Sequence, residues 1–271
     1  MIEQRKEKIL FFAAMVCLIL TVVFDLLPLS FFENEKNNFF FGKFLSLFFG
    51  FVGVALLMIK EKSGLFKKPT NLLYFLPALV IAVDNFQFAA FFAEKMQPIN
   101  EDVGVWILFA TYCLCTGLFE EGIFRGALFP LFAARFEKNK KGLLKAVVWS
   151  SVTFGGAHIL NIFAGAGVGA TLLQACYSTL TGALFAFTLI KTKNILLCAF
   201  AHGVYNFCGL LFSAEQGLGM GVVFDMPTAL TMLVVSLAVA AFAIWAFAKY
   251  TETEREELYA RLGFGAAEKK E

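Results

Sequence analysis

The sequence predicts an all-α fold, a polytopic membrane bundle of about eight transmembrane helices. Three observations predict it. The 271 residues are 59% hydrophobic and only 16% charged, whereas a soluble domain is about half apolar and a quarter charged. Apolar runs of about 20 residues recur along the chain and are continuous rather than alternating, which suits bilayer-crossing helices and not a β-barrel. Lys and Arg concentrate in alternate connecting segments, the pattern that fixes topology in a membrane.

The expected spans are 9–29, 39–59, 72–93, 103–132, 142–162, 169–190, 194–213 and 228–248. The first lies in an apolar run too long for a signal-peptide core and without a small-residue cleavage site, so it is expected as an uncleaved helix. The second is Phe-rich, and the third carries Asp84 and Asn85. The fourth and fifth hold the unusual polar motifs, and a Gly-rich turn, NIFAGAGVG, separates the fifth from the sixth. The seventh contains AFAHGVYNF, and a charged tail, 249–271, follows the eighth as an expected cytoplasmic surface helix that frays. No linker or low-complexity stretch divides the chain, so 1–271 reads as a single membrane domain.

With the N-terminus inside, 19 Lys and Arg fall in cytoplasmic segments, counting Lys145 at the start of the fifth span with the loop before it, and only Lys36 and Lys95 in outer loops. Both termini are therefore expected in the cytoplasm. The net charge of +2 reflects this loop bias, and no nucleic-acid partner is implied. The six cysteines all lie in apolar runs without a C-x-x-C, and read as small packing residues.

Glu120, Glu121 and Arg125 interrupt the fourth span in LFEEGIFRGAL. Each charge costs about 2.5–3.5 kcal/mol near a helix centre on insertion scales. Glu121 and Arg125 are i and i+4, on one face and in the favourable order, and offset one another. Glu120 points about 100° away and needs another partner. The bland reading is an ion pair that locks helix packing, plus one protonated Glu. The chain has only two histidines, however, and both lie inside spans: His158 in TFGGAHILN, one turn after Phe154, and His202 in AFAHGVYNF, one turn before Asn206. A carboxylate and an imidazole together hold a water and draw off its proton, and a second imidazole and an amide donate to a developing oxyanion. That combination suits hydrolysis of a carbonyl compound, most simply a peptide bond. Two His and one Glu (Glu120, His158, His202) are also a zinc-ligand set, but no H-E-x-x-H occurs, so spacing lends a metal no support. Asp25, Asp84, Asn85, Gln174, Tyr177 and Ser178 read as hydrogen-bonded packing or interfacial groups rather than as chamber lining.

E-E-x-x-x-R on one span, F-x-x-x-H on the next and H-x-x-x-N on a later one resemble the CAAX-protease and bacteriocin-processing (CPBP, or Abi) family. The resemblance covers about 103–213, the expected catalytic core. It implies an intramembrane endopeptidase, of the type II CAAX-prenyl-endopeptidase kind, with a conical polar chamber open to the cytoplasm. It further implies that Glu120 and His158 activate water, that His202 and Asn206 form the oxyanion site, and that Glu121, Arg125 and Phe154 support them. The family is often called metalloprotease; its residues also suit a metal-free, glutamate-activated water, so zinc is optional. The partners implied are a peptide or protein substrate, arriving from the membrane or the cytoplasmic side, and the lipid bilayer. Short loops and no organelle address suggest a bacterial plasma membrane. Rival readings are a non-cleaving scaffold or bacteriocin-immunity member of the family, and a proton-coupled transporter, although no internal repeat is visible.

One distance is awkward. His202 lies roughly 12 Å from the cytoplasmic end of its span and His158 roughly 24 Å from that of its own. For the two to meet, residues 137–147 must extend the fifth helix into the cytoplasm, or that helix must tilt.

Overall fold

Short polar side chains start the helices. Asn34 accepts from the backbone N–H of Lys36 and Asn37 and opens α1, Glu35–Lys60. Asp102 accepts from Val105 N at 2.9 Å and opens α4, Val103–Glu121. Asn139 caps α6, Lys140–Ala157, and Asn194 caps α8, Ile195–Leu210. Each cap satisfies an amide that the helix itself leaves unpaired.

The computed structural model describes residues 12, 16, 17, 19–21, 23, 30–95, 99–163, 165–213, 217, 218 and 226–263. Between α1 and α4 lie a 3-10 turn, Leu72–Phe75, then α2, Leu76–Asp84, and α3, Phe88–Phe92. A seven-residue π-helical stretch, Gly122–Leu128, continues α4 directly into α5, Phe129–Arg135. A 3-10 turn, His158–Ile162, ends α6, and α7 follows at Val168–Thr192. After α8 come α9, Met226–Ala248, and α10, Glu252–Arg261. The described residues are helical with no strand.

Five of these segments are long and apolar enough to cross a membrane: Glu35–Lys60, Val103–Arg135, Lys140–Ile162, Val168–Thr192 and Met226–Ala248. Leu72–Asp84 and Ile195–Leu210 are shorter apolar helices. Surface composition agrees with a lipid solvent: α9 turns Leu230, Leu233, Val234, Leu237, Ile244 and Trp245 outward, an apolar face far beyond what water tolerates. The chain is a membrane protein. The expected first span, 9–29, and Asp25 lie largely or wholly outside the described residues.

Two expectations change. The expected third span, 72–93, is not one helix: α2 ends at Asp84, and Gln87 takes a left-handed conformation (φ 58°) before α3. Asn85, the first residue past α2, donates from Nδ2 to Tyr205 O on α8 at 2.9 Å and so ties the break to that helix. The tail also differs from a free surface helix. Thr251 and Glu254 form a reciprocal capping box, and α10 buries Leu258, Tyr259 and Leu262 in the main core with Ile195, Phe129 and Met58. Residues 264–271 lie outside the described residues. Lys191 and Lys193, both nearly fully buried, reach Glu254 at 2.9 Å and Glu257 at 2.8 Å. The fifth helix begins at Lys140, so residues 140–147 are helical as expected, while 137–139 form the approach to the Asn139 cap.

Helix α4 packs most extensively on α8 and α1, and α6 on α7. Glycine allows the first contact. A Cβ on Gly117 would collide with the Ala199 carbonyl and the Gly203 amide, so the α4 and α8 backbones touch, as small residues permit inside membranes.

The clasp at α10 makes a prediction. Burial alone would raise the Glu254 carboxyl, but the Thr251 amide and Lys191 outweigh it and hold it below its ordinary value of 4.5. A depressed folded value stabilises the fold above the unfolded value, and the gain is lost as pH falls through the folded one. Glu254→Gln is therefore expected to lower the thermal midpoint in detergent at pH 7 by about 3–9 °C, for a loss of about 1–3 kcal/mol. The gap from wild type should close on acidification below about pH 4.5. Equal midpoints at pH 7 would contradict the clasp.

Candidate functional site

Gly117 and Gly203 set the site. One turn after Gly117 along α4 stand Glu120 and Glu121; one residue before Gly203 on α8 stands His202. The close backbone contact brings these side chains together. His202 Nδ1 lies 3.0 Å from Glu121 Oε1, and Nε2 lies 3.6 Å from Glu120 Oε2. A carboxylate only accepts, so Nδ1 is the donor to Glu121.

Glu121 is fully buried and receives a second bond, from an Arg125 guanidinium nitrogen at 3.1 Å. The other terminal nitrogen of Arg125 donates to Gly182 O on α7 at 2.7 Å. Gly182 has no side chain to obstruct it; a Cβ there would meet Arg125 and Phe154. The guanidinium lies 4.6 Å from the Phe154 ring centroid, within cation–π range. The π-helical stretch widens the helix where Arg125 must fit, as π turns do at functional sites. Ser150 Oγ satisfies a carbonyl in that stretch, donating to Phe124 O at 3.0 Å. Glu121 Oε2 and Arg125 Nε remain buried without a hydrogen bond among the described residues.

Phe154 joins the two histidines. His158 and His202 both meet its ring nearly perpendicularly, at 5.2 and 5.6 Å between centroids. On its other side His202 stacks on Phe185 at 5.0 Å. The two histidines thus meet across one aromatic ring despite their unequal distances along their helices. His158 sits where α6 tightens into the 3-10 turn, with Nδ1 3.0 Å from Phe154 O. A carbonyl accepts, so Nδ1 carries the proton and Nε2 of the neutral ring keeps a lone pair.

The expected residues gather, but with different partners. Glu120, partly exposed at 26%, faces His202 rather than His158. Glu121 serves His202 as well as Arg125. Asn206, half-buried, lies one turn beyond His202 on α8, beside the Tyr205 carbonyl that Asn85 holds. Sequence reasoning missed Phe185 and the Gly182 carbonyl, which lie 57 residues or more beyond Arg125 and carry no polar signal. Gln174 accepts from Asn161 Nδ2 at 3.0 Å. Among the described residues no three His, Cys, Asp or Glu side chains are arranged as metal ligands, Glu120, His158 and His202 included. The donor set does not fit zinc as placed.

The family model described as Type II CAAX prenyl endopeptidase Rce1-like matches residues 102–208. That segment contains all three motifs. No curated protein and no solved structure matches the chain.

The buried network makes its own prediction. Arg125→Met leaves Glu121 charged, buried and short of a donor, a loss of about 3–5 kcal/mol, seen as a lower thermal midpoint and poor recovery from membranes. Adding Glu121→Gln removes the stranded charge and should restore part of the midpoint. A double variant no better than Arg125→Met would contradict the pairing.

Proposed function

We propose, from the premise that the match over residues 102–208 makes this chain a CPBP family member, that it is an intramembrane endopeptidase using a water activated by Glu120 and His158. At family level it is a CAAX-protease-like membrane endopeptidase. The observation that carries the finer reading is the partly exposed Glu120 beside a His202 locked from behind by Glu121 and Arg125.

In this reading a substrate carbonyl enters between Glu120 and the Phe154 wall. His158 Nε2 accepts a hydrogen bond from the water and Glu120 takes its proton, so that the water oxygen attacks the carbonyl carbon. The carbonyl π pair moves onto oxygen. His202 already donates from Nδ1 to Glu121, so it acts here as the imidazolium, and its Nε2–H and the Asn206 carboxamide donate to that oxyanion. Collapse re-forms the carbonyl and breaks the C–N bond, and Glu120 returns its proton to the leaving amine. Glu121 keeps Nδ1 of His202 engaged, which fixes the ring's orientation. A donor held in place before the charge develops costs no reorganisation when it does.

The same reading holds that the chain spans the bilayer about eight times with both termini cytoplasmic and a conical polar chamber open on that side. The alternating Lys and Arg support it. A bacterial plasma membrane is the proposed location, and a membrane-delivered or cytoplasmic peptide or protein the proposed substrate.

Proteoliposome assays with quenched peptides test the chemistry. Glu120→Ala, His158→Ala and His202→Ala should each reduce cleavage by about 100-fold or more, and Asn206→Ala by about 100–1,000-fold, with insertion unchanged. A fully active His158→Ala variant would sink the assignment.

A further inference from the structure

Asn161 and Gln174 form a polar pair that the chemistry above does not use. Asn161 Nδ2 donates to Gln174 Oε1 at 3.0 Å. Both residues are half-buried on segments long and apolar enough to cross a membrane. Each carboxamide has an acceptor oxygen and a donor amino group. Once the two are bonded to each other, Asn161 Oδ1 and the Gln174 amino group make no other hydrogen bond among the described residues. An acceptor and a donor are therefore held on neighbouring side chains, which is the complement of the N–H and C=O that one residue of an extended peptide presents on the same edge.

Their place relative to the reacting groups is set by the 3-10 turn His158–Ile162. Such a turn has three residues, so Asn161 eclipses His158 about 6 Å further along the axis. An extended peptide advances about 6.6 Å in two residues. Gln174 is held at the same level because α7 packs closely on α6, where a Cβ on Gly155 would meet the Ala175 carbonyl and the Thr179 amide. We propose that Asn161 and Gln174 form a main-chain subsite that binds the N–H and C=O of one residue of an extended substrate, two residues from the hydrolysed bond. Asn161 Oδ1 accepts the substrate N–H and the Gln174 amino group donates to the substrate carbonyl. The subsite recognises backbone and not side chain, so it fixes register without restricting sequence at that position. The inference rests on the peptidase reading.

The test uses the full chain in phosphatidylethanolamine–phosphatidylglycerol proteoliposomes. A panel of internally quenched peptides, farnesylated CAAX-type and unmodified, identifies the one cleaved fastest in a Glu120-dependent manner. Each backbone nitrogen within about three residues of the cut is then methylated in turn, a span set by the extended rise per residue. With wild type, methylation at one nitrogen two residues away should raise KM about tenfold and leave kcat within about twofold. The Asn161→Leu, Gln174→Leu variant should show that raised KM with the parent peptide, and methylation should add nothing further. Gln174→Glu keeps the acceptor for Asn161 and removes the donor. It should reproduce the KM effect even where the double variant fails to insert. Wild-type KM in these variants, or a methylation penalty that persists in the double variant, would overturn the subsite. Absence of Glu120-dependent cleavage of every peptide would instead overturn the peptidase reading, and the subsite with it.

Discussion

The site depends on one buried network, His202 Nδ1 to Glu121 to Arg125 to the Gly182 carbonyl. It ties α8, the α4–π–α5 segment and α7 at one level. Three polar groups in an apolar interior cost more apart than together, since removing any one strands the others. Each helix is therefore held at a single height by the partner on the next. The network is also short of two bonds, at Glu121 Oε2 and Arg125 Nε, so it is kept at some expense of stability. Such under-satisfied polar groups in a native fold call for a functional explanation, and a fixed His202 supplies one.

The rest of the structure serves that level. Gly117 and Gly203 let α4 and α8 touch, Gly182 lets α7 reach Arg125, and Gly155 lets α6 close on α7. Asn85 fixes the turn of α8 that follows His202 by taking the Tyr205 carbonyl, and a Cβ at Gly209 would collide with it. At the far end of the bundle, α10 clasps the junction of α7 and α8 through Lys191 and Lys193. These two lysines lie one turn or less before the α8 N-cap, and His202 lies two turns after it. The position of α10 therefore bears on the position of His202.

Much of this was legible in the sequence because its signals are local. The apolar runs at 39–59, 103–132, 142–162, 169–190 and 228–248 each coincide with a helical segment long and apolar enough to cross a membrane. Glu121 and Arg125 are one helical turn apart, so their pairing followed from spacing. The break at Asn85, the docking of α10 and the carbonyl of Gly182 were not legible. Each depends on a partner between 57 and 193 residues away, and no periodicity encodes such a partner. The pairing of Glu120 was legible only in part. Helical geometry freed it from Arg125, but the glycine contact between α4 and α8 decides that it faces His202 rather than His158.

The central claim is a division of labour between adjacent carboxylates: Glu120 moves the proton, and Glu121 positions His202. It is tested most directly by comparing Glu120→Gln with Glu121→Gln, measuring kcat, KM and thermal midpoint on the same preparations. The account predicts that Glu120→Gln lowers kcat by about 100-fold or more with the midpoint unchanged, whereas Glu121→Gln lowers kcat and midpoint together. A Glu120→Gln protein that still cleaves at the wild-type rate would contradict it.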